Sequence, residues 1–318
     1  MSFDALSGAP RLLIEAELSP VQGQRFQPTG FPDLGAAEYP LPNSDRRGLL
    51  IESAQSMANR LEAVCWDEAA GTLDSALTGL PYVVSRLPDG EQTNSILEAH
   101  RLNSPYLVTS KEFDEIKAAI GFEKDKPFDR RKLAAALLRF DPNSLIHGIF
   151  LEKVGGVVRL PRALSAFIEA EGANVAASGG VKVDRVQPAT TGESTAYGKA
   201  AEGYGNVPYH RDEYVAEQIK AYFNLDLALL RGFGLPSEAT DLLVTLALFK
   251  VRRFLHSGLR LRTACDLDVP ETGVTVTRPE EGFELPSLEA LTDRVSGCIA
   301  ACKPHFRDPP VLEVTYKK

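Results

Sequence analysis

Residues 11–18, RLLIEAEL, alternate strictly, with Leu12, Ile14, Ala16 and Leu18 on one side and Leu13, Glu15 and Glu17 on the other. That period of two predicts a half-buried β-strand, which commits the start of the chain to a sheet with one covered face. Between Pro20 and Gly48 the sequence is thick with Gly, Pro and Asn, including QGQRFQPTGFPDLG. Such a stretch makes a shaped loop and no regular element, and a loop of that length is functional or disordered. A short apolar strand at 49–51 then leads into SAQSMANRLEAVCW, where Ser53 suits a helix N-cap. The helix is expected to reach about Trp66. Its core face carries Ala54, Met57, Leu61 and Val64, and its opposite face Gln55, Ser56, Asn59 and Arg60. An amide-rich face beside one arginine suits phosphate and sugar contacts; a merely solvated face is the alternative.

The rest of the chain reads as a mixture of elements. A strand is expected at 82–85, a helix at 95–102, and shorter helices at 112–120 and 130–140, which together make an inserted helical lobe over about 67–141. Further on come a strand at 145–151, a helix at 161–171 and a strand at 181–186. Residues 187–209, QPATTGESTAYGKAAEGYGNVPY, are poor in aliphatics and rich in small residues, with tyrosines at 197, 204 and 209, and suggest a thumb-like arm or hairpin. A strand at 221–230 precedes a long helix that PSEATDLL opens and that reaches about His256. GLRLRTACDLDV alternates as a strand, 286–302 is a helix, and VLEVTY closes with a strand. This order predicts the α+β class, with helices on a largely antiparallel sheet and a ferredoxin-like core with insertions as the best fit. No repeat of fixed period is visible, which excludes a solenoid.

With 318 residues, 44% hydrophobic and 25% charged, the chain can bury a sizeable core, and a single domain over 1–318 is expected. The longest apolar run, 242–249, falls short of the ~20 residues of a membrane span. The first ten residues lack a basic segment ahead of an apolar one, so no membrane association and a cytoplasmic location are expected. Four cysteines are too few for a disulfide framework; Cys298 and Cys302 lack a second ligand pair and fit as buried hydrophobes, so neither metal nor cofactor is expected. A net charge of -8 argues against holding nucleic acid by bulk attraction. Locally, however, residues 19–32 contain no acid, and 245–262 contain Lys250, Arg252, Arg253, Arg260 and Arg262 with no acid among them.

Catalytic motifs are missing or broken. GESTAYGKA at 192–200 has five residues between its glycines and an alanine where a phosphate loop needs Ser or Thr. RGFG at 231–234 opens like an RNA-recognition signature, but Leu235 and Pro236 interrupt it. His100 beside Arg101 could serve acid-base chemistry on RNA, yet no second titratable partner accompanies it, and packing or capping is the plainer role.

The segments RLLIEAELSPVQGQRFQPTGFPDLGAAEY, LLIESAQSMANRLEAVCWDE, LEAHRLNSPYL, SGGVKVDRV and GNVPYHRDEYVA resemble the backbone RAMP subunit of type I-U (also called I-G) CRISPR effector complexes. RAMP names a repeat-associated family with a modified RNA-recognition, ferredoxin-like fold. The resemblance implies a non-catalytic subunit that polymerises along CRISPR RNA. Copies would form a helical filament that presents the spacer to target DNA in company with other effector subunits. It implies that the RNA is gripped by Gln24, Arg25, Phe26 and Gln27 in the loop and by Gln55, Ser56, Asn59 and Arg60 on the first helix. A thumb would lie within 187–209, with His100, Arg101, Lys250, Arg252 and Arg253 as secondary contacts. Two alternatives stay open: target-RNA cleavage through Asp33, by analogy with type III relatives, and a free-standing single-strand RNA-binding protein.

Overall fold

The computed structural model describes residues 3–31, 33–124, 126–156, 158–182, 207–270 and 272–317. Its centre is an antiparallel sheet in which β1 (Arg11–Pro20) lies between β7 (Gln218–Asp226) and β10 (Val274–Arg278), and β4 (Leu164–Glu171) pairs with the far side of β7. Helix α1 (Ala54–Ala63) falls between β1 and β4 in the chain, and α4 (Ser237–Leu255) between β7 and β10. Two interleaved β-α-β units with the spatial order β10-β1-β7-β4 are the ferredoxin-like topology, so the α+β class and the ferredoxin-like core hold. Strand β2 (Arg47–Glu52) extends the sheet beyond β4. At the opposite side, β8 (Arg260–Arg262) and β9 (Cys265–Asp268) form a hairpin on the end of β1.

One face of the sheet is dry. Leu12, Ile14 and Ala16 of β1, Ala166, Ile168 and Ala170 of β4, and Ala221, Phe223 and Leu225 of β7 are all buried. Helix α1 contributes Met57 and Leu61 to this core, and α4 contributes Leu242, Leu246 and Phe249. Helix α4 is buried nearly all round because α5 (Leu288–Cys302) packs on its outer side. The four cysteines are buried. No helix among the described residues is long and apolar enough to cross a membrane.

Between α1 and β4 lie β3 (Tyr82–Arg86), α2 (Arg130–Phe140) and α3 (Asn143–His147). Strand β3 pairs in parallel with the C-terminal β11 (Val311–Thr315), which ties this inserted region to the end of the chain.

Several predicted elements differ. Residues 161–171 are not a helix: from Leu164 the side chains alternate buried and half-buried, and the two-sided pairing of β4 overrides the helix preference of Leu, Ala and Glu. The stretch 95–102 holds no α-helix, because the Asn94 side chain accepts from the backbone of Ile96 and Leu97 and Arg101 takes φ +51. Residues 145–151 divide into the end of α3, Gly148 at φ +74 and a short strand Ile149–Leu151. The strand expected at 221–230 ends at Asp226, whose side chain caps a short helix Leu227–Gly232 by accepting from Leu229 N at 2.9 Å. RGFG is therefore the exit from that helix. The alternating stretch 258–269 folds back on itself as β8 and β9, with Ala264 at φ +57 in the turn.

Strands β5 (Asn174–Lys182) and β6 (Val207–Val215) form a nine-pair antiparallel ribbon from Asn174↔Val215 to Lys182↔Val207. The predicted arm at 187–209 lies outside the described residues except for 207–209, which open β6.

Candidate nucleic-acid interface

The long loop after β1 is pinned at both sides. Phe26 and Tyr214 exchange two backbone hydrogen bonds at 2.9 Å, and Gln27 N donates to Ala264 O at 2.8 Å. These bonds press residues 24–27 against the β8–β9 hairpin and the base of β6. Arg262, on β8, then spans the junction: it donates to Gln27 O at 3.2 Å, to Ile51 O at 3.0 Å, and to the Glu52 carboxylate. From the other side Arg60 of α1 donates to the same Glu52 oxygen at 3.0 Å and to Leu261 O at 2.5 Å. Glu52 is only 1% exposed, whereas the two guanidiniums are about a quarter exposed. One buried carboxylate thus anchors two arginines and leaves one unit of positive charge over. The Oε1 of Gln27 and the Nε of Arg60 are buried there without a partner among the described residues.

Around this anchor lie solvent-facing groups. Gln24 and Arg25 are exposed, Gly23 supplying the φ +71 turn just before them. Arg25 stands 3.7 Å from Glu213, a carboxylate that Arg211 also engages. Burial is the largest single influence on the Glu213 carboxyl and pushes it up, but hydrogen bonding and the charges of Arg211 and Arg25 together outweigh it and hold the group below its ordinary value. On α1, Ser53 accepts from Ser56 N at 3.2 Å and fixes the first turn, which leaves Gln55 and Asn59 exposed and Ser56 half-buried. Arg162 braces that turn, donating to Ala54 O at 2.9 Å and to the Gln55 side chain.

The structure therefore gathers Gln27 and Arg60 around one carboxylate, with Gln24, Arg25, Gln55, Ser56 and Asn59 on the loop and helix that these contacts hold. Three predicted residues leave the surface. Phe26 is 1% exposed and packs in the core, so its ring is not available for stacking on a base. Arg101 is buried in a two-pronged pair with Glu62, its Nε at 2.5 Å and Nη2 at 2.8 Å. Lys250 is fully buried, donating to Asn143 and to His147 Nε2 at 2.8 Å, because α4 has no solvent face at that position. Asn143 in turn donates to Glu62 at 2.7 Å, so these groups form one internal network. Arg252 and Arg253 are also committed: the first to the carbonyls of Leu285 and Pro286 at 2.6 and 2.7 Å, the second to Asp74 at 2.6 Å. His100 is exposed ahead of a short helical turn in the inserted region. Asp33 is exposed in the turn between the short strands Gly30–Phe31 and Gly35–Ala36. No group of His, Cys, Asp and Glu suited to a metal ion occurs among the described residues.

A family model for the CRISPR-associated protein GSU0053 matches residues 12–175. That is more than half of the 318 residues. The chain belongs to this family. The matched part of this GSU0053-family protein carries the loop, Glu52, Arg60 and Arg162, whereas Arg262 lies beyond it. Among solved structures the chain is similar to a CRISPR RNA-guided surveillance complex, pre-nicking, at 15% identity and TM-score 0.39 over 81% of this chain and 74% of that one. It is also similar to Csc2 of Thermofilum pendens, at 11% identity and TM-score 0.32 over 94% and 79%. Comparison with curated proteins gives no match.

Proposed function

We propose that this GSU0053-family protein is the non-catalytic backbone subunit of a cytoplasmic CRISPR effector complex. It binds CRISPR RNA without regard to sequence, lines up in several copies along it, and presents the spacer to target DNA with the other subunits. The observation that supports this reading is the junction at Glu52, where two arginines converge between the exposed Gln24 and Arg25 of the loop and the exposed Gln55 and Asn59 of α1. Guanidinium and amide donors of this kind satisfy phosphate and sugar oxygens, which every sequence offers alike, and carry no base-edge readout.

The test is light scattering coupled to size-exclusion chromatography, on the protein alone and with CRISPR RNAs of two spacer lengths. The expected outcome is a mass that rises in whole-subunit steps as the spacer lengthens. A fixed small mass at both lengths would exclude a polymerising backbone and favour a solitary RNA binder.

A further inference from the structure

The face of the sheet opposite the core carries an organised surface of its own. Side chains at alternate positions of β1, β7 and β4 point there and are half-exposed along the strands. At its middle Phe167 and Tyr222, direct cross-strand neighbours, stack with centroids 5.0 Å apart and planes 24° apart. An aromatic pair on the open face of a ferredoxin-like sheet is the kind of platform on which nucleic-acid bases can stack. Here its charge opposes that use. Glu15 lies directly across from Tyr222, while Glu17 and Glu169 flank Lys220 on either side. Lys220 neutralises only one of the three carboxylates, bonding Glu15 at 3.1 Å. A phosphate backbone laid over these rings would meet a net negative field, whereas guanidinium groups would both stack on the rings and pair with the carboxylates.

We infer that this open sheet face is a docking surface for an arginine-bearing protein segment, with Phe167 and Tyr222 as its apolar centre and Glu15, Glu17 and Glu169 as its charged frame. The spacing suits an extended segment. Alternate side chains of a strand recur every ~6.6 Å, the separation of Glu15 from Glu17, so arginines at every second position of the partner match carboxylates along β1. The occupant is thereby separated from the RNA, whose proposed contacts are on α1 and the loop after β1.

The test measures fluorescence anisotropy of two probes on the full chain: a labelled peptide of alternating arginine and leucine, and a labelled single-stranded RNA. The proteins are wild type, Phe167→Ala/Tyr222→Ala and Glu17→Gln/Glu169→Gln; the last keeps every ring and removes only exposed or half-exposed charge, so it remains informative if the first fails to fold. Expected is saturable peptide binding to wild type that weakens roughly tenfold in each variant, with RNA affinity unchanged in both. The inference is overturned if the peptide does not bind, if it binds all three proteins alike, or if RNA affinity falls with the aromatic variant, which would make the face a base-stacking platform. The peptide arm decides the matter even if RNA binding itself proves absent.

Discussion

Glu52, Glu62, Glu213 and Asp141 are the buried carboxylates among the described residues, and all but Asp141 have arginine partners. Asp141 accepts from Ser144 at 2.7 Å, while its other oxygen has no partner among the described residues. Burial pushes its carboxyl from 3.8 up to about 7. Between those values the folded chain holds a proton that the unfolded chain has released, so this group's contribution to stability falls as pH rises through that window and levels off above it. His147 has the opposite trend, since burial and the Lys250 charge hold its imidazole well below 6.5 and stability falls as it is forced to charge in acid. The histidine is common to wild type and Asp141→Asn and cancels in their difference. Asp141→Asn is therefore expected to gain stability relative to wild type on going from about pH 5 to about pH 8, read as the difference in urea midpoints. Of the candidate site, the polar face of α1 was legible from helical spacing, whereas Gln24, Arg25, Phe26 and Gln27 were named only through the family resemblance. The Glu52 junction was not legible, because Arg262 is brought to it by a hairpin far along the chain, and the burial of Lys250 was hidden because α3, through Asn143 and His147, covers a helix face that charge alone marks as outer.

At the scale of elements, Gly148 controls how the inserted region rejoins the sheet. It sits at φ +74 between α3 and the strand Ile149–Leu151, and a Cβ there would come within 2.8 Å of Leu160 O and 2.9 Å of Arg162 N. Both are backbone atoms that cannot swing aside. Gly148→Ala is expected to cost about 2 kcal/mol or more, measured by denaturant unfolding, because left-handed strain and a steric clash add. Elements with an unambiguous period were readable: β1, α1, α2, α4 and α5 lie within a few residues of their expected places. The strand β4 was not, for its LSAFIEAE fits the residue preferences of a helix, and only its partners on both sides make the alternation decisive. The failure at 95–102 has a different origin, a side-chain turn at Asn94 that competes with helix nucleation.

For the molecule as a whole, a net charge of -8 coexists with the proposed grip on RNA because most of the basic stretch 245–262 is spent internally, on Glu52, Asp74, Asn143, His147 and the carbonyls before α5. The cations described at the candidate interface are Arg25, Arg60, Arg162 and Arg262, so the affinity for RNA should fall only shallowly with salt, a logarithmic slope of about -2 to -3 for a few contacts on a single strand. Arg60→Ala should reduce that slope by about 1 and weaken all RNA sequences alike; titrations at several salt concentrations with two unrelated RNAs check both points. The sheet order has a consequence in time. Strand β1 leaves the ribosome well before the strands that flank it, β7, which begins at Gln218, β9, which begins at Cys265, and β10, which begins at Val274. At about 5–20 residues per second, tens of seconds pass before any of them exists. Throughout that wait the hydrogen-bonding edges of β1 lack the strands that flank them in the finished sheet, so a strand made early is paired late, and each chain under synthesis displays an adhesive edge that the finished protein conceals.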